Sequence, residues 1–197
     1  VNYLGHAWLS FGNPDVLVGN MISDFVKGRA RDAFPAAIQV GISLHRQIDA
    51  YTDAHPASRA AQDLFRSDYR LYSAPIVDVV WDHFLANDAE AFPPGRLAVF
   101  ASEVYSALEQ RPQFLPQRFA GMLPYMKEQN WLLNYRERWG TRRSLQGLER
   151  RARYLGSTDR AFALFEARYQ HLQDWWQELA GAVKEFAKLE YGRLLNT

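Results

Sequence analysis

Apolar residues recur at three- and four-residue spacing along almost the whole chain, and no stretch shows the sustained β-branched alternation of a half-buried strand. That period points to helices throughout. Pro and Gly fall in short groups, at Gly12–Pro14, His55–Pro56, Ser73–Pro75 and Pro93–Gly95, where a helix must stop or restart. The spacing predicts helices over roughly 2–10, 15–27, 35–53, 57–70, 75–90, 95–109, 114–126, 128–139, 142–155 and 158–190, with ends placed to within about 2–4 residues. A chain of 197 residues is long enough to bury one continuous core, and no repeat, low-complexity tract or linker divides it. The expectation is an all-α, single-domain compact helical bundle over residues 1–197.

Composition excludes several classes of function. Cysteine is absent, which removes disulfide frameworks, thiolate zinc sites and a cysteine nucleophile, and agrees with a cytoplasmic location. No apolar run approaches the roughly 18 residues needed to span a bilayer, and the opening VNYLGHAWLS lacks the layout of a signal peptide, so no membrane insertion is expected. Formal net charge is only +1, but residues 1–98 hold 8 Lys+Arg against 11 Asp+Glu, whereas residues 99–197 hold 15 against 11. Within 136–160, Arg136, Arg138, Arg142, Arg143, Arg150, Arg151, Arg153 and Arg160 face only Glu137, Glu149 and Asp159. This local basic field is either a solvated helical face or a docking surface for an acidic partner. Nucleic acid is not the expected partner, because the whole chain is not strongly basic and no recognition motif is present.

The segment SLHRQIDAYTDAHP, residues 43–56, places polar groups where a helix should be apolar. At about 100° per residue, Asp49 falls about 40° from His45, among Ile38, Ile42 and Ile48. An imidazole and a carboxylate buried there cost several kcal/mol unless they pair with each other or coordinate a cation. An internal His–Asp hydrogen bond and a metal site both satisfy that demand, the latter with nitrogen and oxygen donors suited to Mn²⁺, Zn²⁺ or Fe²⁺. Arg46 lies about 100° round the helix, able to hold an anionic oxygen.

Other segments repeat the pattern. In PIVDVVWDHFLAND, Asp78 and Asp82 share a face with Trp81 and Leu85, and such like charges call for a cation or a protonated acid. His83 lies about 140° from Asp78, away from that face. Asp24 shares a face with Leu17, Asn20 and Met21, and His6 stands between Leu4 and Leu9. His6, Asp24, His45, Asp49 and Asp78 are therefore the candidate metal ligands, on four separate helices that can converge as in metal-binding helix bundles.

The motifs NYLGHAWLS, GNMISDFVKG, HRQIDAYTDAHP and DVVWDHFLA, followed by EQNWLLNYRE, resemble those of the acyl carrier protein phosphodiesterases, densest over residues 2–90. The resemblance implies an HD-like fold, distantly similar to the HD superfamily of metal-dependent phosphohydrolases. Their tandem His-Asp is absent here, where the one adjacent pair is the reversed Asp82-His83. It further implies hydrolysis of the phosphodiester joining 4′-phosphopantetheine to a serine of holo acyl carrier protein, with Mn²⁺ as cofactor and Mg²⁺, Co²⁺ or Fe²⁺ as alternatives. Arg46 would stabilise charge on the phosphoryl oxygens, and Asp82 or His83 would handle the proton. Because an acyl carrier is strongly acidic, Arg142, Arg143, Arg150 and Arg151 are the expected docking residues. An HD-like hydrolase of nucleotides or other small phosphodiesters, or a non-catalytic module binding an acidic protein, are the competing expectations.

Overall fold

The computed structural model describes residues 1–152 and 154–196, leaving Arg153 of the basic segment outside the described residues. Among the described residues eleven α-helices follow one another: α1 Tyr3–Trp8, α2 Pro14–Ile22, α3 Ala36–Ala54, α4 Pro56–Tyr69, α5 Ser73–Ala86, α6 Arg96–Glu109, α7 Gln117–Glu128, α8 Trp131–Asn134, α9 Arg138–Arg151, α10 Asp159–Ala167 and α11 Tyr169–Leu195. Short 3-10 turns fill Ser23–Phe25, Gly28–Ala33, Arg70–Tyr72 and Pro112–Phe114, and no strand occurs among the described residues. The protein is all-α.

Local chemistry sets the helix starts. Asn13 caps α2, its side chain accepting from Asp15 N at 3.0 Å and Val16 N at 3.2 Å, with Pro14 in the first turn where no donor is needed. His55 ends α3 in an extended conformation before Pro56, and its Nδ1 accepts from Ala57 N to cap α4. Two expected helices come out shorter and one is divided. The one expected over 15–27 stops at Ile22 and continues as the Ser23–Phe25 turn before Val26 becomes extended. That expected over 128–139 is reduced to α8, because Asn130 takes a left-handed conformation (φ 45°) and Gly140 packs on the Asn134 carbonyl, leaving no room for a side chain. The last expected helix is two, α10 and α11, separated at Arg168.

One continuous buried cluster extends from Val1 to Ala187. At its centre lies α5, in which Ile76, Val77 and every residue from Val79 to Ala86 is buried, as befits a helix enclosed on all sides. Long α11 lies along α3, where Tyr51 stacks on Phe186 with ring centres 4.1 Å apart, and against α5, where Trp176 meets Trp81 at 5.9 Å.

Helices α2 and α3 approach backbone to backbone. A Cβ on Gly19 would strike the carbonyl of Ile38, and one on Gly41 would strike the carbonyl of Val16, so the two backbones touch directly. Gly19→Ala is accordingly expected to cost about 3 kcal/mol through overpacking against rigid backbone. In a chain of this size that lowers the melting temperature by roughly 6–12 °C. Gly181→Ala in α11, where an added methyl meets nothing, serves as control and should leave thermal unfolding unchanged or slightly raised.

Candidate metal centre

Four of the expected ligands converge, and the convergence is built from α1, α2, its following turn, and α3. His6 from α1 and His45 from α3 stack with ring centres 3.7 Å apart. Asp49, one turn beyond His45, reaches both: its Oδ1 is 3.0 Å from His6 Nε2 and its Oδ2 is 3.1 Å from His45 Nε2. Asp24, in the turn after α2, brings Oδ1 to 3.4 Å from His45 Nε2. The imidazoles are buried, with side-chain exposures of 4% and 8%, whereas Asp49 and Asp24 are 39% and 73% exposed, so solvent enters from the carboxylate side.

Hydrogen bonds lock these groups in place. His45 Nδ1 donates to the Asn20 carbonyl at 2.7 Å, which fixes the tautomer and directs Nε2 at the carboxylates. Asn20 Nδ2 donates to Ser10 Oγ at 3.0 Å, and Ser10 Oγ donates to the His6 carbonyl at 2.9 Å, so one asparagine ties both histidine-bearing helices together. Ser23 Oγ donates to the Ile42 carbonyl and an Arg46 Nη2 donates to the Val26 carbonyl at 2.9 Å, pinning the Asp24 turn to α3 on either side. Arg46 is otherwise exposed. Asn20 and Ser10 are missing from the candidate residues of the sequence. Asn20, a polar group on the apolar face of α2, carried the same signal as His45.

Electrostatics divide the stacked imidazoles. Burial and the adjacent His45 lower the His6 pKa to about 4, only partly offset by Asp49. For His45 burial also opposes charge, but the Asp24 and Asp49 carboxylates outweigh it and raise its pKa to about 9. Burial alone would raise Asp49, yet His6 and His45 together hold it well below the usual carboxylate range. Asp24 is likewise lowered, chiefly by the adjacent His45 imidazole.

The donor set fits a divalent cation. His6, His45 and Asp49 each offer a ligand atom within 4.8 Å of the others. His6 Nδ1 and His45 Nε2 are buried without an aligned hydrogen bond, the carboxylate oxygens near His45 Nε2 lying off the N–H axis. A proton on His45 therefore satisfies this nitrogen imperfectly, and mixed imidazole and carboxylate donors suit Mn²⁺, Fe²⁺, Co²⁺ or Zn²⁺.

The remaining candidates lie elsewhere. Asp78 Oδ1 is 2.6 Å from the Val1 nitrogen, and burial pushes its pKa up to about 7. Asp82, expected to move a proton, is fully buried and accepts from the backbone amides of Asn2, Leu4 and Gly5 at 3.0, 2.7 and 3.0 Å, so it anchors the start of α1. Although those amides favour its anion, burial prevails and raises its pKa to about 6. His83 faces the other side of α5, with Nδ1 2.8 Å from the Tyr135 carbonyl and Nε2 2.9 Å from Tyr169 Oη, which uses both ring nitrogens. Helical projection gave the faces of α5 correctly but not the neighbours opposite them.

The basic field is narrower than expected. Arg136, Arg138, Arg142 and Arg160 lie within ion-pair distance of Glu137, Glu166, Asp159 and Asp68 respectively. Arg143 lies over Trp139 and Arg151 donates to Gly147 O and Tyr3 Oη; with Arg150 and Arg118 they border a cleft between α1 and α7–α9. Sequence periodicity gave no signal for this cleft, because separate helices contribute its walls.

Since His45 is protonated below about pH 9, a cation must displace that proton. Mn²⁺ binding should release about one proton at pH 7 and tighten about tenfold per pH unit between pH 6 and 8. Titration calorimetry in buffers of different ionisation enthalpy measures both, and a pH-independent affinity would refute the linkage.

Residues 1–183 match the family model described as acyl carrier protein phosphodiesterase. Acyl carrier protein phosphodiesterases from Yersinia pestis, Photorhabdus laumondii subsp. laumondii and Escherichia coli O6:H1 are 33%, 31% and 32% identical to this chain. The matches cover 88%, 90% and 90% of this chain and 91%, 90% and 93% of those proteins. No solved structure matches. The cluster of His6, Asp24, His45 and Asp49 is thus the centre of a chain that belongs to the acyl carrier protein phosphodiesterase family.

Proposed function

We propose that this protein hydrolyses the phosphodiester between 4′-phosphopantetheine and a serine of holo acyl carrier protein, giving the apo carrier and free 4′-phosphopantetheine. The observation that carries the reading is the family match over residues 1–183, which contains the whole convergent His–Asp cluster. His6, Asp24, His45 and Asp49 would hold the metal, for which Mn²⁺ is our assignment. When bound, it supplies Lewis acidity toward a phosphoryl oxygen and lowers the pKa of a water.

The protein side of the reaction follows from the placement of the side chains. Asn20 and Ser10 keep the two imidazoles in register, so little reorganisation is needed when the charged diester arrives. Arg46, beside His45 and exposed, offers its free guanidinium donors to the anionic oxygens. We assign Asp82 and His83 positioning roles in place of proton transfer: the former fixes the helix that carries His6, and the latter joins α5 to the start of α9 through Thr141. Asp78, half-buried, is the acid closest in character to a proton carrier, its pKa pushed up to about 7. Kinship with the HD superfamily fits helix-borne His and Asp donors and is part of the proposal, as is a cytoplasmic location shared with the carrier. Among the described residues no helix is long and apolar enough to cross a membrane.

Incubated with holo carrier and Mn²⁺, the protein should lower the carrier's mass by that of phosphopantetheine, and a chelator should stop the reaction. His45→Gln and Asp49→Asn are expected to reduce kcat at least about a hundredfold, as for loss of a charge-stabilising group. Turnover unchanged in both variants would sink the assignment of the centre. A triple change of Arg143, Arg150 and Arg151 to Glu should raise KM for the carrier about tenfold at low salt, the difference shrinking as ionic strength rises. An unaltered KM would remove the arginines from carrier docking.

A further inference from the structure

A cleft of about 710 Å³ opens between α1, α7, α8 and α9, and the chemistry above leaves it without a use. It adjoins the metal centre through α1. Tyr3, on the cleft wall, and His6, at the centre, are three residues apart and so share one face of that helix. The Tyr3 hydroxyl lies 3.4 Å from Arg151 Nη1 and 3.9 Å from Met122 Sδ. Burial pushes the Tyr3 phenol up, Arg151 opposes the rise and the Asp24 carboxylate adds to it.

The interior of the cleft differs from its rim. Its floor is neutral and polar: Asn2 Nδ2 donates to Tyr135 Oη at 3.1 Å, and Ser144 also lines it. Met122 and Trp131 supply apolar walls. Exposed Arg118, Arg143 and Arg150 border the mouth. A concavity of this volume suits a small or flexible ligand, whereas the convex surface of a folded protein cannot enter it. The pantetheine arm has the matching chemistry, since it is an uncharged flexible chain with two amides, a hydroxyl and a gem-dimethyl group, attached to a phosphate.

We propose that this cleft binds the pantetheine arm, with its amides on the Asn2, Tyr135 and Ser144 floor, while the phosphodiester lies at the metal centre. The rim arginines then face the acidic surface of the carrier to which the arm is attached. This assignment rests on the phosphodiesterase reading and specifies how it selects its substrate.

Two glycines allow the cleft to be filled without disturbing the core. An added Cβ meets nothing within 4 Å at Gly121 in α7, and only the tip of Arg150 at 3.7 Å at Gly147 in α9. Both substitutions also favour the helix. In the unsubstituted protein, free pantetheine should quench the emission of Trp131 and Trp139 and compete with holo carrier. In Gly121→Phe and Gly147→Leu, KM for holo carrier should rise about tenfold with kcat changed less than about threefold, and pantetheine should no longer compete. Absence of pantetheine quenching and competition in the unsubstituted protein would overturn the assignment without any variant. KM unchanged in both variants, with normal turnover by the unsubstituted protein, would overturn it and leave the phosphodiesterase reading standing. Failure of the unsubstituted protein to release apo carrier would overturn both.

Discussion

The direct contact between the backbones of α2 and α3 is the constraint on which the His–Asp cluster depends. Two glycines, Gly19 and Gly41, face each other's helix so closely that neither position has room for a methyl group. Adjacent in sequence to Gly19 is Asn20, whose carbonyl reaches His45 only because the helices approach this far. The Asp24 turn follows one turn later and is pinned to α3 by Ser23 and Arg46. Side chains at this crossing would push the helices apart, and helix axes ordinarily lie about 8–10 Å apart depending on the residues between them. The 2.7 Å hydrogen bond from His45 Nδ1 to the Asn20 carbonyl and the 3.4 Å approach of Asp24 to His45 Nε2 do not survive a shift of even one ångström.

A second constraint comes from the buried acids of α5. Each carboxylate inside a core must be compensated, and removing a partner from such a group costs more than the contact itself contributes. Asp82 is compensated by three amides that α1 could not otherwise satisfy, since the first amides of a helix have no partner within it. One side chain thus settles two deficits. The consequence reaches the site, because α1 is only six residues long and would not hold His6 against Asp49 without an anchor. A residue that the family resemblance marks for proton transfer thus also anchors the helix that carries His6.

Much of this was legible in the residues. His45 and Asp49 stand one helical turn apart inside a stripe of buried isoleucines, and that placement alone called for a partner. Asp24 and His6 showed the same mismatch and do converge with them. The same rule brought in Asp78, Asp82 and His83, whose partners are a chain nitrogen, three amides and a tyrosine pair. A polar group on an apolar face reports that compensation exists; it does not distinguish a cation from an amide. Charge counting met a similar limit, since it found the arginines of 136–160 but not that Arg142 spends its charge on Asp159.

By itself the sequence determined the helical class, the approximate helices and the polar residues that a core would have to compensate, because each depends on local period and on residue chemistry. Tertiary structure decided which groups meet. It shortened two helices where a left-handed Asn130, the packed Gly140 and an extended Val26 intervene, divided the last at Arg168, and placed Asp24 in a turn. It also assembled the cleft beside Tyr3 by bringing α1 against the distant run α7–α9. The physical reason is that periodicity fixes the direction of a side chain about its own helix axis, whereas coordination, ion pairing and cavities depend on the distance between different axes, which packing sets.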